Sequence, residues 1–264
     1  MKQTDIFSNL CVYFFLFQRE EQPSFSETKI ANFKSSNLHK HLENACKTGT
    51  LVFQGKDLEV FPENLQKVSA TLRNLDLSNN KLTTIPNWIV DFKSLKTFNL
   101  SGNLITYLPE DIGQLNKLEN LIVSKNDLSG ALPESLAKLK NLKELDASGN
   151  QILIFPVSLA GLNNLNSLDL SSNKISAIPD GVGELKVTEL SLNQNQIVSI
   201  SPSLAQCPRL KILRLEENCL SLDAIPTLLL TNSPISTLNL KGNLFSKKQF
   251  AGCEGYDTYL ERYT

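Results

Sequence analysis

Apolar residues recur along most of the chain at one fixed spacing. The third and fifth residues after Leu72 are leucine, the eighth is asparagine, and the tenth is leucine again. The same string begins again at Leu95, Leu118, Leu142, Leu165, Val187, Leu210 and Ile235, so successive units are 22 to 25 residues long. Such a period is typical of a solenoid, in which a unit buries its apolar edge only by stacking on its neighbours.

Each unit predicts the same three local structures. The alternation of Leu75 and Leu77 has a period of two, which predicts a short strand with one buried face. An asparagine then turns the chain, and a proline before a polar stretch predicts a short helical or 3₁₀ turn on the outer side. A degenerate unit with Leu51 and Phe53 comes first and has Lys56 in place of the asparagine. Nine parallel strands would span roughly 40 Å.

The asparagine position is the most regular one, and all eight regular units fill it. A carboxamide can both donate to and accept from the backbone groups of a turn, so we expect these side chains to form a structural ladder. They are Asn80, Asn103, Asn126, Asn150, Asn173, Asn195, Asn218 and Asn243.

The ends of the chain differ from the repeats at 50–247. Leu38, Leu42 and Ala45 share one face of a predicted cap helix at 35–49, which Gly49 ends. An aromatic C-terminal cap is expected at 248–264. Residues 1–34 are expected to be a disordered or spurious leader. Their apolar run at 10–17 is too short to span a bilayer, and its flanks do not suit a signal peptide.

The repeat sequence resembles the intracellular leucine-rich-repeat proteins of the Shoc-2 and Ras-suppressor type. The short outer segments and the pattern Ile-Pro-x-x-Ile/Val-Gly-x-Leu carry this resemblance. The stretches 36–43, 190–197, 207–220 and 254–262 match one protein of this kind more closely, over about residues 36–263. The resemblance implies an α/β leucine-rich-repeat solenoid: a curved horseshoe with a parallel sheet on the concave face, short helical or 3₁₀ turns on the convex face, and helical caps. It also implies a protein that binds other proteins.

Two departures from these relatives concern membrane attachment. The relatives look as if they begin with Met-Gly just before the cap helix, whereas Phe33 and Lys34 occupy that place here. The lysine-rich tail that such relatives carry is also missing. We therefore expect membrane contact only if the true N-terminus differs from this one.

Composition excludes several classes of function. The net charge of −1 gives no global attraction to nucleic acid. The five cysteines are scattered, which argues against a disulfide-rich module or a zinc site and favours a cytoplasmic setting. Catalytic and cofactor motifs are absent from the sequence, so we expect no enzyme, no cofactor, no metal and no small-molecule substrate.

The concave face supplies the candidate binding residues. In each unit the second, fourth and sixth residues after the first apolar position should point away from the core. From Leu72 to Asn193 these positions hold five acids and no base, and two later units are mixed. The concave candidates for partner binding are Asp76, Asn99, Ile122, Asp146, Asp169, Glu189, Ile212 and Arg214. Two interpretations stay open. The acidic positions form a docking surface for a partly basic protein, or they belong to the consensus sequence of the repeat because it is soluble and fits the turn.

Trp88, the only tryptophan, is a further candidate on the outer side. Tryptophan is enriched in binding hot spots, but it could equally cover the edge of a neighbouring repeat. The sequence thus favours a non-enzymatic intracellular scaffold or adaptor in signalling. The alternatives are a membrane-associated or extracellular recognition domain and a regulatory subunit of a signalling enzyme complex.

Overall fold

The repeats build one parallel sheet. The computed structural model describes residues 35–262, with side chains described from Lys40 onward, so the predicted leader at 1–34 lies outside the described residues. Nine strands pair in parallel in chain order and in register, so that Asn74 stands beside Thr97 and Thr97 beside Asn120. The strands are β1 (Thr50–Val52), β2 (Asn74–Asp76), β3 (Thr97–Asn99), β4 (Asn120–Ile122), β5 (Glu144–Asp146), β6 (Ser167–Asp169), β7 (Glu189–Ser191), β8 (Ile212–Arg214) and β9 (Thr237–Asn239). The predicted leucine-rich-repeat solenoid is confirmed.

Short helices line the convex side. Proline stands immediately before most of the 3₁₀ helices. Its φ, −69° at Pro109, suits both the extended backbone that leaves the sheet and the helical turn that follows. The 3₁₀ helices are Glu63–Val68, Asn87–Asp91, Glu110–Gln114, Glu134–Lys138, Val157–Gly161, Val182–Glu184, Pro202–Gln206 and Leu222–Ala224. The α-helices are α1 (Ser35–Thr48), α2 (Thr227–Thr231), α3 (Lys247–Ala251) and α4 (Tyr256–Glu261).

Two pairs of very short strands also lie beside the turns that leave the sheet. Ser129–Gly130 pairs with Gln151–Ile152, and Ala177–Ile178 pairs with Ser199–Ile200, both in parallel.

The asparagine side chains join neighbouring units through main-chain groups. Asn150 donates to the carbonyls of Val123 and Ala147, both at 3.0 Å, and its Oδ1 accepts the N–H of Leu128 at 3.0 Å. The degenerate first unit has no such side chain, and the Oδ1 of Asn80 accepts both Lys56 N–H and Leu58 N–H instead. Each ladder asparagine therefore holds the turn of its own unit against the unit before it.

The residue before each ladder asparagine adopts a left-handed backbone. Its φ lies between +53° and +81° in all eight regular units, although only three of the eight residues are glycine. At Gly102 a Cβ would stand 2.5 Å from the Oδ1 of Asn79, so glycine is also needed there for space. The backbone turn is thus imposed by the ladder bonds that follow rather than by glycine alone.

The core is a continuous row of buried apolar side chains between the sheet and the convex helices. Leu75, Leu121 and Leu168 at the strand centres are at most 1% exposed. Cys207 takes one of the core positions. Its Sγ lies 3.0 Å from the carbonyl oxygen of Val182, and burial raises the pKa of the thiol to about 11. No helix within residues 35–262 combines the length and the apolar character that crossing a membrane requires.

Candidate interaction surfaces

The aspartates of the concave face take part in the local turn. The Oδ1 atoms of Asp76, Asp146 and Asp169 accept a backbone N–H from the serine two residues later, at 2.8 to 3.0 Å. Asn99 makes the same bond to the N–H of Ser101 at 3.0 Å. An acceptor two residues before the turn is thus one reason for Asp or Asn at this position. The negative charge of the aspartates is not required for that bond.

The prediction that the sixth residue after the first apolar position points away from the core is partly wrong. Ser78 and Ser124 are 2% and 7% exposed, so these side chains are buried rather than offered to a partner. The strands are only three residues long, and alternation ends at the fourth position, where the chain begins to turn. The concave face consists of the two outward positions of each strand, except that Ser191 in β7 is 6% exposed.

Four residues on three adjoining strands form what we call the central patch: Ile122, Glu144, Asp146 and Asp169. Pairing places Ile122 beside Asp146, and Asp146 beside Asp169. Neighbouring strands are about 4.8 Å apart, so the three carboxylates act on the same small area. Ile122 is half-buried and gives the patch an apolar side.

Other concave candidates are more separated. Asp76 lies two strands before Ile122 in the sheet, with Asn99 on the strand between them. Glu189 forms an ion pair with Arg214, so its charge is compensated within the chain. Ile212 is half-buried between Glu189 and Thr237. Among residues 35–262, the concave acids without an ion pair are therefore concentrated in the central patch.

Trp88 lies on the convex side. Its ring stands 5.4 Å from that of Phe61, at 82°, and stacks on Phe92 at 6.0 Å. Phe61 belongs to the preceding unit, so the indole covers the junction between two units. Partner binding by Trp88 stays a prediction; the half-buried ring makes packing contacts with Phe61 and Phe92.

Sequence reasoning missed the charge of one edge of the solenoid. The descending segments, which lead from each convex helix back to the next strand, are 69–73, 92–96, 115–119, 139–143, 162–166, 185–188, 207–211 and 232–236. They contain nine bases and one acid: Arg73, Lys93, Lys96, Lys117, Lys140, Lys143, Lys186, Arg209 and Lys211, against Glu119. The signal was present in the sequence, since the residue after the first apolar position is basic at Arg73, Lys96, Lys143 and Lys211.

The single acid of these segments is held between two lysines. The carboxylate of Glu119 accepts hydrogen bonds from Lys143 Nζ at 2.6 Å and from Lys96 Nζ at 2.7 Å. These two bonds lower the pKa of Glu119 from 4.5 to about 2. Three consecutive units are thereby linked along the edge.

A cleft of about 590 Å³ lies at the C-terminal end. The aromatic rings of Phe245, Phe250, Tyr256 and Tyr259 line it, together with β9. Within residues 35–262 no three His, Cys, Asp or Glu side chains are arranged to hold a metal ion.

Comparison with known proteins agrees with this geometry. Residues 62–152 match the family described as "Leucine-rich repeat region", and residues 140–181 match "Leucine Rich repeats (2 copies)". The solenoid has the leucine-rich-repeat fold. Domains of this family generally mediate protein–protein interaction and are typically non-enzymatic.

Individual relatives share the leucine-rich-repeat domain rather than a whole architecture. The mouse (Mus musculus) Leucine-rich repeat and calponin homology domain-containing protein 1 is 38% identical over 99 residues, 36% of this chain and 14% of its own. Podocan-like protein 1 of Homo sapiens is 34% identical over 180 residues, 65% of this chain and 34% of its own. The chain thus spans about a third or less of these two relatives.

A solved structure is similar over most of the leucine-rich-repeat domain. The protein LIC12759 of Leptospira interrogans superimposes with a TM-score of 0.70 at 30% identity. The match covers 80% of this chain and 58% of the other.

Proposed function

We propose that the chain is a non-enzymatic interaction scaffold of the cytoplasm, acting in signalling, and that it binds a protein with a basic surface at the central patch. The observation that carries this is the grouping of Glu144, Asp146 and Asp169 beside Ile122 on adjoining strands. Charged groups of one sign steer a partner of opposite sign, and a central apolar side chain can add contact energy.

The local hydrogen bonds of the aspartates support a functional use of their charge. Asn99 shows that an amide makes the same turn bond as Asp146 and Asp169. The turn alone therefore does not account for three carboxylates on two adjoining strands that form no ion pair with the described part of the chain. Like charges on neighbouring strands repel each other, which is a cost that binding of a basic partner would remove.

Within the leucine-rich-repeat family we propose a relationship to leucine-rich repeat-containing protein 57. The support is the amino-acid sequence of the terminal stretches, such as 36–43 and 254–262. These stretches lie outside the repeats and are more distinctive than the repeat sequences.

The test neutralises the patch without disturbing the turn. The variant carries Glu144→Gln, Asp146→Asn and Asp169→Asn, and the control carries Asp111→Asn and Asp127→Asn away from the concave face. Partners are captured from cell extract and quantified by mass spectrometry at low and high salt. We expect the patch variant to lose a set of basic partners that the control retains, and the same partners to weaken with salt.

Equal recovery by wild type and patch variant, with matching denaturation curves, would contradict the proposal. Arginine substitutions are less informative here, because arginine has no acceptor for the turn N–H of Ser148 or Ser171.

A further inference from the structure

The net charge of −1 conceals a division of charge between sides of the solenoid. The descending segments carry nine bases and one acid. The convex 3₁₀ helices carry seven acids and two bases, and the sheet strands carry five acids and one base. Within the repeats, the positive charge is therefore concentrated on one edge, which we call the basic edge.

Sheet register aligns the basic edge. The nine strands pair in parallel, each residue opposite its equivalent in the next unit, with no stagger. The segments that lead into the strands consequently lie side by side at the same end of every strand. Residues such as Arg73, Lys96 and Lys143 thus form a row along the solenoid.

Several of these bases form no ion pair with the residues that the structure describes. Arg209 donates to the carbonyls of Lys186 and Leu165, and Lys96 and Lys143 share Glu119. By contrast, the side chains of Lys93, Lys117 and Lys211 are exposed and form no ion pair within residues 35–262. Three exposed charges without an internal partner require an external counter-charge or solvent.

We propose that the basic edge binds the anionic phospholipid surface of a membrane, peripherally and without insertion. Seven of the nine bases are lysine, whose flexible point charge suits a headgroup layer that offers negative charge over an area rather than a fixed geometry. This contact needs no lipid anchor and so does not depend on the N-terminus, unlike the membrane contact considered from the sequence alone. Because it uses the edge, it leaves the concave face open to a protein partner.

Nucleic acid fits the same edge less well. Binding of single strands relies on aromatic side chains on which bases stack. The only aromatic residue of the descending segments is Phe92, which is 0% exposed. Base readout in a duplex typically places a helix or a β-ribbon in the major groove, and the basic edge is made of irregular segments.

The experiment measures sedimentation of the full chain with sucrose-loaded vesicles of phosphatidylserine and phosphatidylcholine in roughly a 3:7 ratio. Vesicles of phosphatidylcholine alone serve as the uncharged reference. We expect binding to the anionic vesicles at about 50 mM salt, and loss of most of it at about 300 mM. Each basic residue near such a surface contributes about fivefold to the partition coefficient.

The edge variant carries Lys93→Glu, Lys117→Glu and Lys211→Glu. The matched control has the same net charge and carries Lys81→Glu, Lys125→Glu and Lys174→Glu, all exposed on the opposite edge. Position 125 tolerates glutamate, since Glu217 has the same left-handed backbone at the equivalent place. We expect the edge variant to lose at least about 100-fold in partitioning and the control to lose far less.

Four outcomes would overturn the proposal: no sedimentation of the wild type at low salt, equal losses in both variants, binding that survives high salt, or binding to a single-stranded RNA or duplex DNA probe but not to vesicles. Denaturation curves establish that both variants fold. Neutralising Asp146 and Asp169 should leave vesicle binding intact, so this result and that for the concave face are separable.

Discussion

The two ends of the solenoid are closed by different means. At the N-terminal end a 14-residue helix, α1, places Leu42 and Ala45 against the first unit at 3% and 0% exposure. At the C-terminal end β9 is half-buried throughout, and α3 and α4 leave a cleft beside it. Here the hydroxyl of Tyr259 accepts the N–H of Leu238 at 3.0 Å, in place of a further strand.

Main-chain bonding differs at the two ends as well. Asn80 accepts the N–H of Leu58, as the next ladder asparagine accepts that of Leu82, and it also accepts the N–H of Lys56. The last unit has no successor, and the N–H groups of Leu240 and Gly242 have no partner among residues 35–262. In a stack where each unit contacts mainly its neighbours, stability is a sum of local terms. We therefore expect the C-terminal end to open first.

The largest effect is expected inside the ladder. Asn150→Ala leaves the N–H of Leu128 without its acceptor and removes one of the two side-chain amide bonds at each of the carbonyls of Val123 and Ala147. It should lower the free energy of unfolding by about 3 kcal/mol. Asn243→Ala, at the half-buried C-terminal end, should cost about 1 kcal/mol. Urea denaturation measures both, with the exposed Asn163→Ala as the control. Equal losses at positions 150 and 243 would remove the distinction between interior and end.

A second change tests the N-terminal closure. Leu42→Ala removes a nearly buried side chain from α1 and should cost about 2.5 kcal/mol. Because the contact is local, amide protection should fall at β1 and β2 and remain at β5 and β6. Uniform loss of protection along the sheet would mean that the solenoid opens as one unit.

The C-terminal closure is expected to be weaker. Tyr259→Phe deletes only the hydroxyl that accepts the N–H of Leu238, and it should cost about 1 kcal/mol. Hydrogen exchange of the Leu238 amide should accelerate by about tenfold or less, in line with that loss. Exchange unchanged from wild type would show that the hydroxyl does not protect this edge.

The smallest effect concerns the ion pairs between the ends. The pKa of Glu119 is lowered to about 2 by its hydrogen bonds with Lys143 and Lys96. A depressed pKa contributes stability above the unfolded value near 4.5, and that contribution is lost as pH falls toward 2. Glu119→Gln should therefore lower the urea midpoint slightly at pH 7, with the difference from wild type vanishing near pH 2. A difference independent of pH would point to packing instead.

Most of the fold was readable from sequence because the period repeats eight times. Alternation at Leu75 and Leu77 sets the buried face, and the asparagine fixes where each strand turns. The pairs of two-residue strands, such as Ser129–Gly130, were not predictable, since two residues carry no period. The burial of Ser78 was missed for a related reason: strand alternation was extended beyond the turn.

The surfaces were less readable. The central patch followed from alternation, but the ion pair between Glu189 and Arg214 depends on neighbouring strands 25 residues apart. The contact of Trp88 with Phe61 likewise joins two units. Such contacts cannot be found by following the residues of one unit along the chain. By contrast, comparing equivalent positions in successive units would have identified the basic edge.

Cys207 is a built-in probe of local opening in the solenoid. Its thiol is 0% exposed, and burial raises its pKa, so in the closed structure it neither meets an alkylating reagent nor ionises readily. Alkylation of this residue must await an opening of the units around Val182 and Leu204. The rate at which Cys207 is labelled, compared with that of the exposed Cys219, would report how often the units of β7 and β8 separate.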